Sequence, residues 1–363
     1  MKTRIESVDV LRGLTVVAMI LVNNPGTWTH IYPPLRHAEW HGYTPTDLIF
    51  PFFLFIVGVS ITLAYQTKIL DYETYKKIFF RSLRLIGLGL FLGWFLPYFP
   101  FFKNIESLRF SGVLQRIGVV FLIAALLNLH SNWKILLCII SILLIGYFIW
   151  MGFVLLPNGS LPTFDRAPNN WANYVDVTVL KNHTWKSDYD PEGLLSTLPA
   201  IATTLIGVLM GKLFLVKNDL KIVGVAVLGL LLVCFGYLWS YWFPINKSLW
   251  SSSFVLVTAG WASILLSALY YLIDVKKMTF GTVFKYVGLN AIAIFFLSGF
   301  IAKNFYILKI TEKISIHKWL YETVFLSTIS SDKLASISYA LTVVSFYMFL
   351  GYVLYKKKIF IKV

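Results

Sequence analysis

Charge is scarce in this chain: 13% of its 363 residues are Asp, Glu, Lys or Arg, and only 17 are acidic. A water-soluble domain of this length needs more polar surface than that. Cysteine is scarcer still, with Cys138 and Cys234 alone, both in apolar runs, so neither a disulfide framework nor a zinc cluster is implied. No HExxH or CxxC spacing occurs, and no metal is expected. Pro/Gly/Ser linkers, charge blocks, low-complexity tracts and clear internal repeats are also lacking, so 1–363 reads as one domain.

What is present is apolar: 58% hydrophobic residues and a mean hydropathy of +0.72. Crossing a bilayer as helix takes about 20 apolar residues. Runs of that order predict ten spans, near 11–23, 48–65, 84–102, 110–128, 135–156, 194–211, 222–243, 250–273, 286–305 and 336–355. The fold class is all-α, a polytopic membrane bundle. The apolar N-terminal stretch lacks a small-residue cleavage site and contains Asp9 and Arg12, so it reads as the first span rather than a signal peptide. The segment "HKWLYETVFLSTI", 317–329, is short and carries Glu322, which predicts an interfacial or re-entrant helix.

Orientation follows from the basic residues, which concentrate in cytoplasmic loops. With the N-terminus inside, the inner segments gather Lys2, Arg4, Lys68, Lys76, Lys77, Arg81, Arg84, Lys134, Lys212, Lys217, Lys221, Lys276, Lys277, Lys285, Lys356, Lys357, Lys358 and Lys362. Both termini are then cytoplasmic. The net charge of +15 is accounted for by cations beside spans, facing anionic lipid, and calls for no nucleic-acid partner. The outer loop of about 157–193 contains "PNGSLPTFDRAPNNWANYVD", whose aromatics, amides and acids suit either a sugar contact or a solvated lid. Structureless loops of this length are uncommon without a function.

Ionisable residues at span ends are costly in lipid and face a cavity or a partner. Asp9 and Arg12 share a helical face at the inner end of span one, as a local ion pair or an anion site. Arg116, beside Gln115, lies about 10 Å into span four at 1.5 Å per residue. It calls for a phosphate or a carboxylate, with Asp47 as one choice. Asn23 ends span one and Asp47 begins span two on the same outer side, and the loop between them carries His37 toward that pair. Asp190 and Glu192 stand before span six, where helix capping alone also explains them. Asn246 and Lys247 are placed to orient a hydroxylated substrate, with Trp250 as an interface anchor. Asn290 inside span nine needs an amide partner, either another helix or a ligand.

The ordered set "SVDVLRG", "VNN", "HAEWHG", "TDLIFPFFLFIVG", "GVLQRIGV", "YDPEG", "NKSLWSSSF" and "VGLNA", from about Ser7 to Asn290, resembles the heparan-alpha-glucosaminide N-acetyltransferase family of transmembrane acyltransferases. The resemblance implies acetyl transfer from cytosolic acetyl-CoA to a glucosamine amine across the membrane. It puts the active histidine on His37, its neighbouring asparagine on Asn23, and the motif aspartate and arginine on Asp47 and Arg116. The chain departs from the animal pattern at "NPGTW" and in Glu39 and His41, and it starts at the first span without the lumenal domain. That points to a bacterial relative in the inner membrane whose acceptor need not be heparan.

Chemically, His37 would take the amine proton, Asp47 orient the imidazole and Asn23 stabilise the oxyanion. A ping-pong variant makes His37 the nucleophile. Arg12, Arg81, Arg84, Arg116, Gln115 and Asn290 are the expected acetyl-CoA residues. Trp40, Glu39, Asp190, Glu192, Asn246, Lys247 and Trp250 are the expected acceptor residues. Expected partners are an amino-sugar or glycan, membrane lipids and, as a protein partner, a second copy of the chain. Two other functions fit the same polar cavity: an amino-sugar transporter and an O-acyltransferase acting on a glycan or lipid.

Overall fold

The computed structural model describes residues 5–66, 70–216 and 220–361. Lys2, Arg4, Lys68, Lys217 and Lys362 lie outside the described residues. The chain is helical almost throughout: α1 (Glu6–Asn23), α2 (Pro45–Tyr65), α3 (Tyr72–Trp94), α4 (Val113–His130), α5 (Trp133–Phe153) and a short α6 (Trp171–Val175) come first. α7 (Thr197–Phe214), α8 (Lys221–Trp239), α9 (Ser252–Leu269), α10 (Thr282–Gly288), α11 (Ala291–Ile307), α12 (Ile316–Leu320) and α13 (Asp332–Lys356) follow. The one sheet among the described residues is a hairpin of Lys309–Thr311 with Ile314–Ser315. Among the described residues seven helices are long and apolar enough to cross a membrane, and an eighth if α10 and α11 count as one broken span. α1 and α3 occupy the places of the other two expected spans, with charges in their first turns.

Two expected boundaries move for physical reasons. Hydropathy predicts a third span at 84–102, but α3 stops at Trp94, because Pro97 and Pro100 cannot continue a helical ladder. Lys303 from α11 then donates to the freed carbonyls of Leu92, at 2.6 Å, Gly93 and Phe95. The ninth span is not continuous: α10 and α11 meet at 79°. Segment 317–329 is α12 plus one wider turn, Tyr321–Leu326, too short to span.

Backbones approach closely where glycines face each other. At Gly13 a methyl group would overlap the Phe284 carbonyl, and at Gly288 the Asp9 carbonyl, so α1 and α10 touch backbone to backbone. Gly58 and Gly207 do the same for α2 and α7. Small residues are the expected means of helix contact in lipid, where apolar side chains gain little by burial. These contacts bring the start of α2 and the loop before it against α7 and α9, at the end of the bundle opposite both described chain ends.

Candidate active site

The site starts from helix capping. Thr44 precedes α2 and Asp47 is its third residue, a spacing in which a carboxylate reaches back to the cap. Asp47 accepts from the Thr44 N–H at 2.9 Å, the Thr44 hydroxyl at 3.1 Å and the Ala38 N–H at 3.0 Å. Its other oxygen is 2.6 Å from His37 Nδ1. A carboxylate with this donor set is an acceptor, so Nδ1 carries the proton and Nε2 keeps its lone pair. Asp47 is 1% exposed and the His37 side chain 49%, so a buried acid orients an imidazole that is open to solvent.

Lys247 adjoins the pair, its Nζ 3.1 Å from His37 Nδ1 and 3.6 Å from Asp47 Oδ1. Burial pulls this ammonium below its ordinary pKa, and Asp47 and Glu192 oppose the shift. The outer loop closes over one flank. Trp40 Nε1 donates to the Phe164 carbonyl at 2.9 Å, His41 Nε2 pairs with Asp165 at 2.9 Å, and Trp40 meets Tyr189 edge-on at 5.3 Å.

Asp190 and Glu192 form an ion-pair cluster beside the His37–Asp47 pair. Arg109, which sequence reasoning missed, holds Asp190 with two donors and Glu192 with one. Ser111, the Trp185 N–H and the Glu192 N–H also donate to Asp190. Burial pushes the Asp190 carboxyl up, but Arg109 and Ser111 hold it below its usual range. Asp176, also missed, is buried and accepts from the Leu194 N–H at 2.8 Å; desolvation is the main cause that raises its pKa to about 7.

Arg116 does not pair with Asp47. Its Nη2 donates to the Gly193 carbonyl at 3.0 Å and to Ser196 Oγ at 2.5 Å, its guanidinium lies over Trp250, and Nε and Nη1 have no partner. Trp250 is 0% exposed and donates to Thr203 Oγ1, so it is a core residue and not the interface anchor expected from sequence. Asn246 is fully buried and holds its own loop. Glu39 is exposed. Asn23 is exposed too, and no hydrogen bond joins it to His37 or Asp47.

At the opposite end of α2 a cavity of about 1220 Å³ opens among α1, α2, α3, α4 and the α10–α11 break. Arg12, Arg81 and Arg84 all line it, together with Lys76, Lys77 and Lys221, against the acids Asp9 and Glu73. Arg12 donates to Asp9 at 3.0 Å and to Ser60 Oγ at 2.6 Å, and Arg81 lies over the Phe121 ring. Ile5 and Ile361 line the same cavity, which puts both described ends of the chain on this side. Gln115 is not among its lining residues and packs instead against Gly89 and Gly112. Asn290 binds the tail backbone, donating to the Ile359 carbonyl and accepting from the Ile361 N–H.

A family model described as the catalytic region of heparan-alpha-glucosaminide N-acetyltransferase matches residues 4–226, a stretch that holds His37, Asp47 and the cavity arginines. Two curated relatives of that name are similar to the chain. The Homo sapiens protein is 31% identical over 369 aligned residues, covering 80% of this chain and 52% of the relative. The Mus musculus protein is 28% identical over 434, covering 99% and 60%. The chain thus spans between half and two thirds of the length of the curated relatives it matches.

Proposed function

The chain belongs to the heparan-alpha-glucosaminide N-acetyltransferase family, and from that premise we propose that it moves acetyl from acetyl-CoA, bound in the cation-lined cavity, to the amine of an external glucosamine-type acceptor at His37. The observation that carries this reading is the placement of two chemically opposite sites on one helix. Arg12, Arg81, Arg84 and three lysines suit a polyanionic nucleotide. Pockets for ordinary small ligands run to about 1000 Å³, and this cavity is larger. Its lining climbs α2 from Gln66 to Phe53. That is about 20 Å of helix, and Phe53 stands about 9 Å below Asp47 at 1.5 Å per residue. An extended thioester arm fits that path.

At the other end, the Nδ1–H bond to Asp47 leaves His37 Nε2 as a base for the attacking amine, and Asp47 stabilises the imidazolium that forms. Trp40 and Tyr189 offer an aromatic wall to a sugar ring. The lysine-rich cavity end is cytoplasmic by charge, and a bacterial inner membrane is the setting we favour. A second copy of the chain remains the protein partner we favour. The test is transfer of label from radiolabelled acetyl-CoA to glucosamine by purified protein, wild type beside His37→Ala. Amide product that disappears in the variant supports the reading. Undiminished transfer by His37→Ala, or none by wild type, overturns it, and an ester product moves the acceptor to a hydroxyl.

A further inference from the structure

A base and its orienting acid leave the ammonium of Lys247 unexplained. Its Nζ stands 3.1 Å from His37 Nδ1 and 3.4 Å from Nε2, close to both ring nitrogens at once. It is not needed to satisfy Asp47, whose oxygens already accept from His37, Ala38 and Thr44. The segment that carries it is fixed. The Asn246 N–H donates to Ser251 Oγ, the Asn246 side-chain Oδ1 accepts from the Leu249 N–H, and the Gly42 N–H donates to the Ile245 carbonyl, tying this loop to the one that bears His37. The charged groups around the ammonium are Asp47 and Glu192, which favour the cation, and Arg116, which opposes it. Lys247 also lies beyond residues 4–226, outside the region that the family model matches.

We propose that Lys247 is a catalytic residue: its ammonium binds the oxyanion that forms when the thioester carbonyl is attacked. This rests on the proposed role of His37. In the step, the acceptor nitrogen bonds to the carbonyl carbon, the C=O π pair moves onto oxygen, and Nε2 takes a proton from the nitrogen. The oxyanion then re-forms the carbonyl, the C–S bond breaks, and the leaving thiolate takes the proton from His37. An acceptor nitrogen bonded to Nε2 lies about 3 Å from it. The oxyanion is one carbon away from that nitrogen, within reach of an ammonium 3.4 Å from the same Nε2. A preorganised donor in a half-buried site acts where charge develops and is worth most there. The same ammonium serves an acyl-imidazole route, whose two steps pass through the same kind of oxyanion. Asn23, exposed and unbonded to the pair, is less well placed for this task.

The test uses full-length Lys247→Cys, before and after alkylation with 2-bromoethylamine, which rebuilds an ammonium side chain at lysine length with sulfur in place of one methylene. Wild type treated alike is the control, because Cys138 and Cys234 are exposed. The expected result is a kcat lower by about 100- to 1000-fold at little-changed acceptor KM, substantial recovery on alkylation, and none in Lys247→Met. Protection of the cysteine variant from thermal unfolding by acetyl-CoA shows that it is folded. An unaltered kcat, a rise in acceptor KM alone, or no recovery at complete modification by intact mass each overturns the assignment. His37→Ala separates the two readings: an inactive histidine variant beside an active Lys247→Cys defeats the lysine alone, whereas an active His37→Ala defeats both.

Discussion

Asp47 caps its own helix and grips His37 with the same carboxylate, so one residue couples the fold of α2 to the orientation of the imidazole. Asp47→Asn keeps the cap by turning its amide oxygen to Thr44 and Ala38, which leaves its NH2, a donor, facing the Nδ1–H that needs an acceptor. We expect kcat to fall by about 100-fold or more, with acetyl-CoA affinity, measured by titration calorimetry, unchanged. Asp176 gives a pH prediction. Its folded pKa of about 7 lies above the ordinary 3.8, so the folded chain holds a proton that the unfolded chain releases. The stabilisation is complete below about pH 4 and is lost as pH rises through 7. Asp176→Asn should flatten the fall in thermal midpoint between those values; an unchanged slope would contradict it. His37 and Asp47 were legible in sequence because ten residues and a helix start bring them together. The contact with Lys247, the Arg109 cluster and the burial of Trp250 were not, because each brings together segments far apart in sequence, which no local pattern encodes.

Among elements, apolar length located the helices well and their ends poorly. Prolines overrode hydropathy at the end of α3, and the α10–α11 break is set by tertiary contacts, with Gly288 against the Asp9 carbonyl and Asn290 engaged with the tail. The Lys303 ammonium is the partner that α3 lacks in its own last turn. Lys303→Met leaves three carbonyls without it, and we expect a loss of about 1–3 kcal/mol, read as a lower thermal midpoint in detergent. Gly207→Ala forces a methyl against the Phe55 carbonyl in the α2–α7 contact. Overpacking of this kind costs about 1–3 kcal/mol. Because α2 carries Asp47, activity should fall along with the midpoint, whereas the Lys303 change should spare activity at temperatures where the protein stays folded.

At the scale of the whole molecule, a basic cavity and an acid-histidine site lie at opposite ends of one bundle. The class of the fold followed from composition, and so did the side on which the cations gather. The cavity itself did not, since its walls come from helices far apart in sequence. Arg84→Ala removes one cavity cation. It should weaken acetyl-CoA binding about tenfold, the worth of one charge-assisted hydrogen bond, and reduce the salt dependence of binding, which equilibrium binding at two ionic strengths would show.

The separation of the two ends along α2 also bears on supply and demand. If the donor is drawn only from the cavity side and the acceptor only from the histidine side, the two substrates never mix in solution. The spent thiol would then be handed back to the compartment that can recharge it, and the acetylated product would stay where no thioester can follow. Flooding one compartment would then saturate one site and leave the other governed by its own supply, so the protein would work as a one-way gate for acyl groups while CoA itself never leaves home.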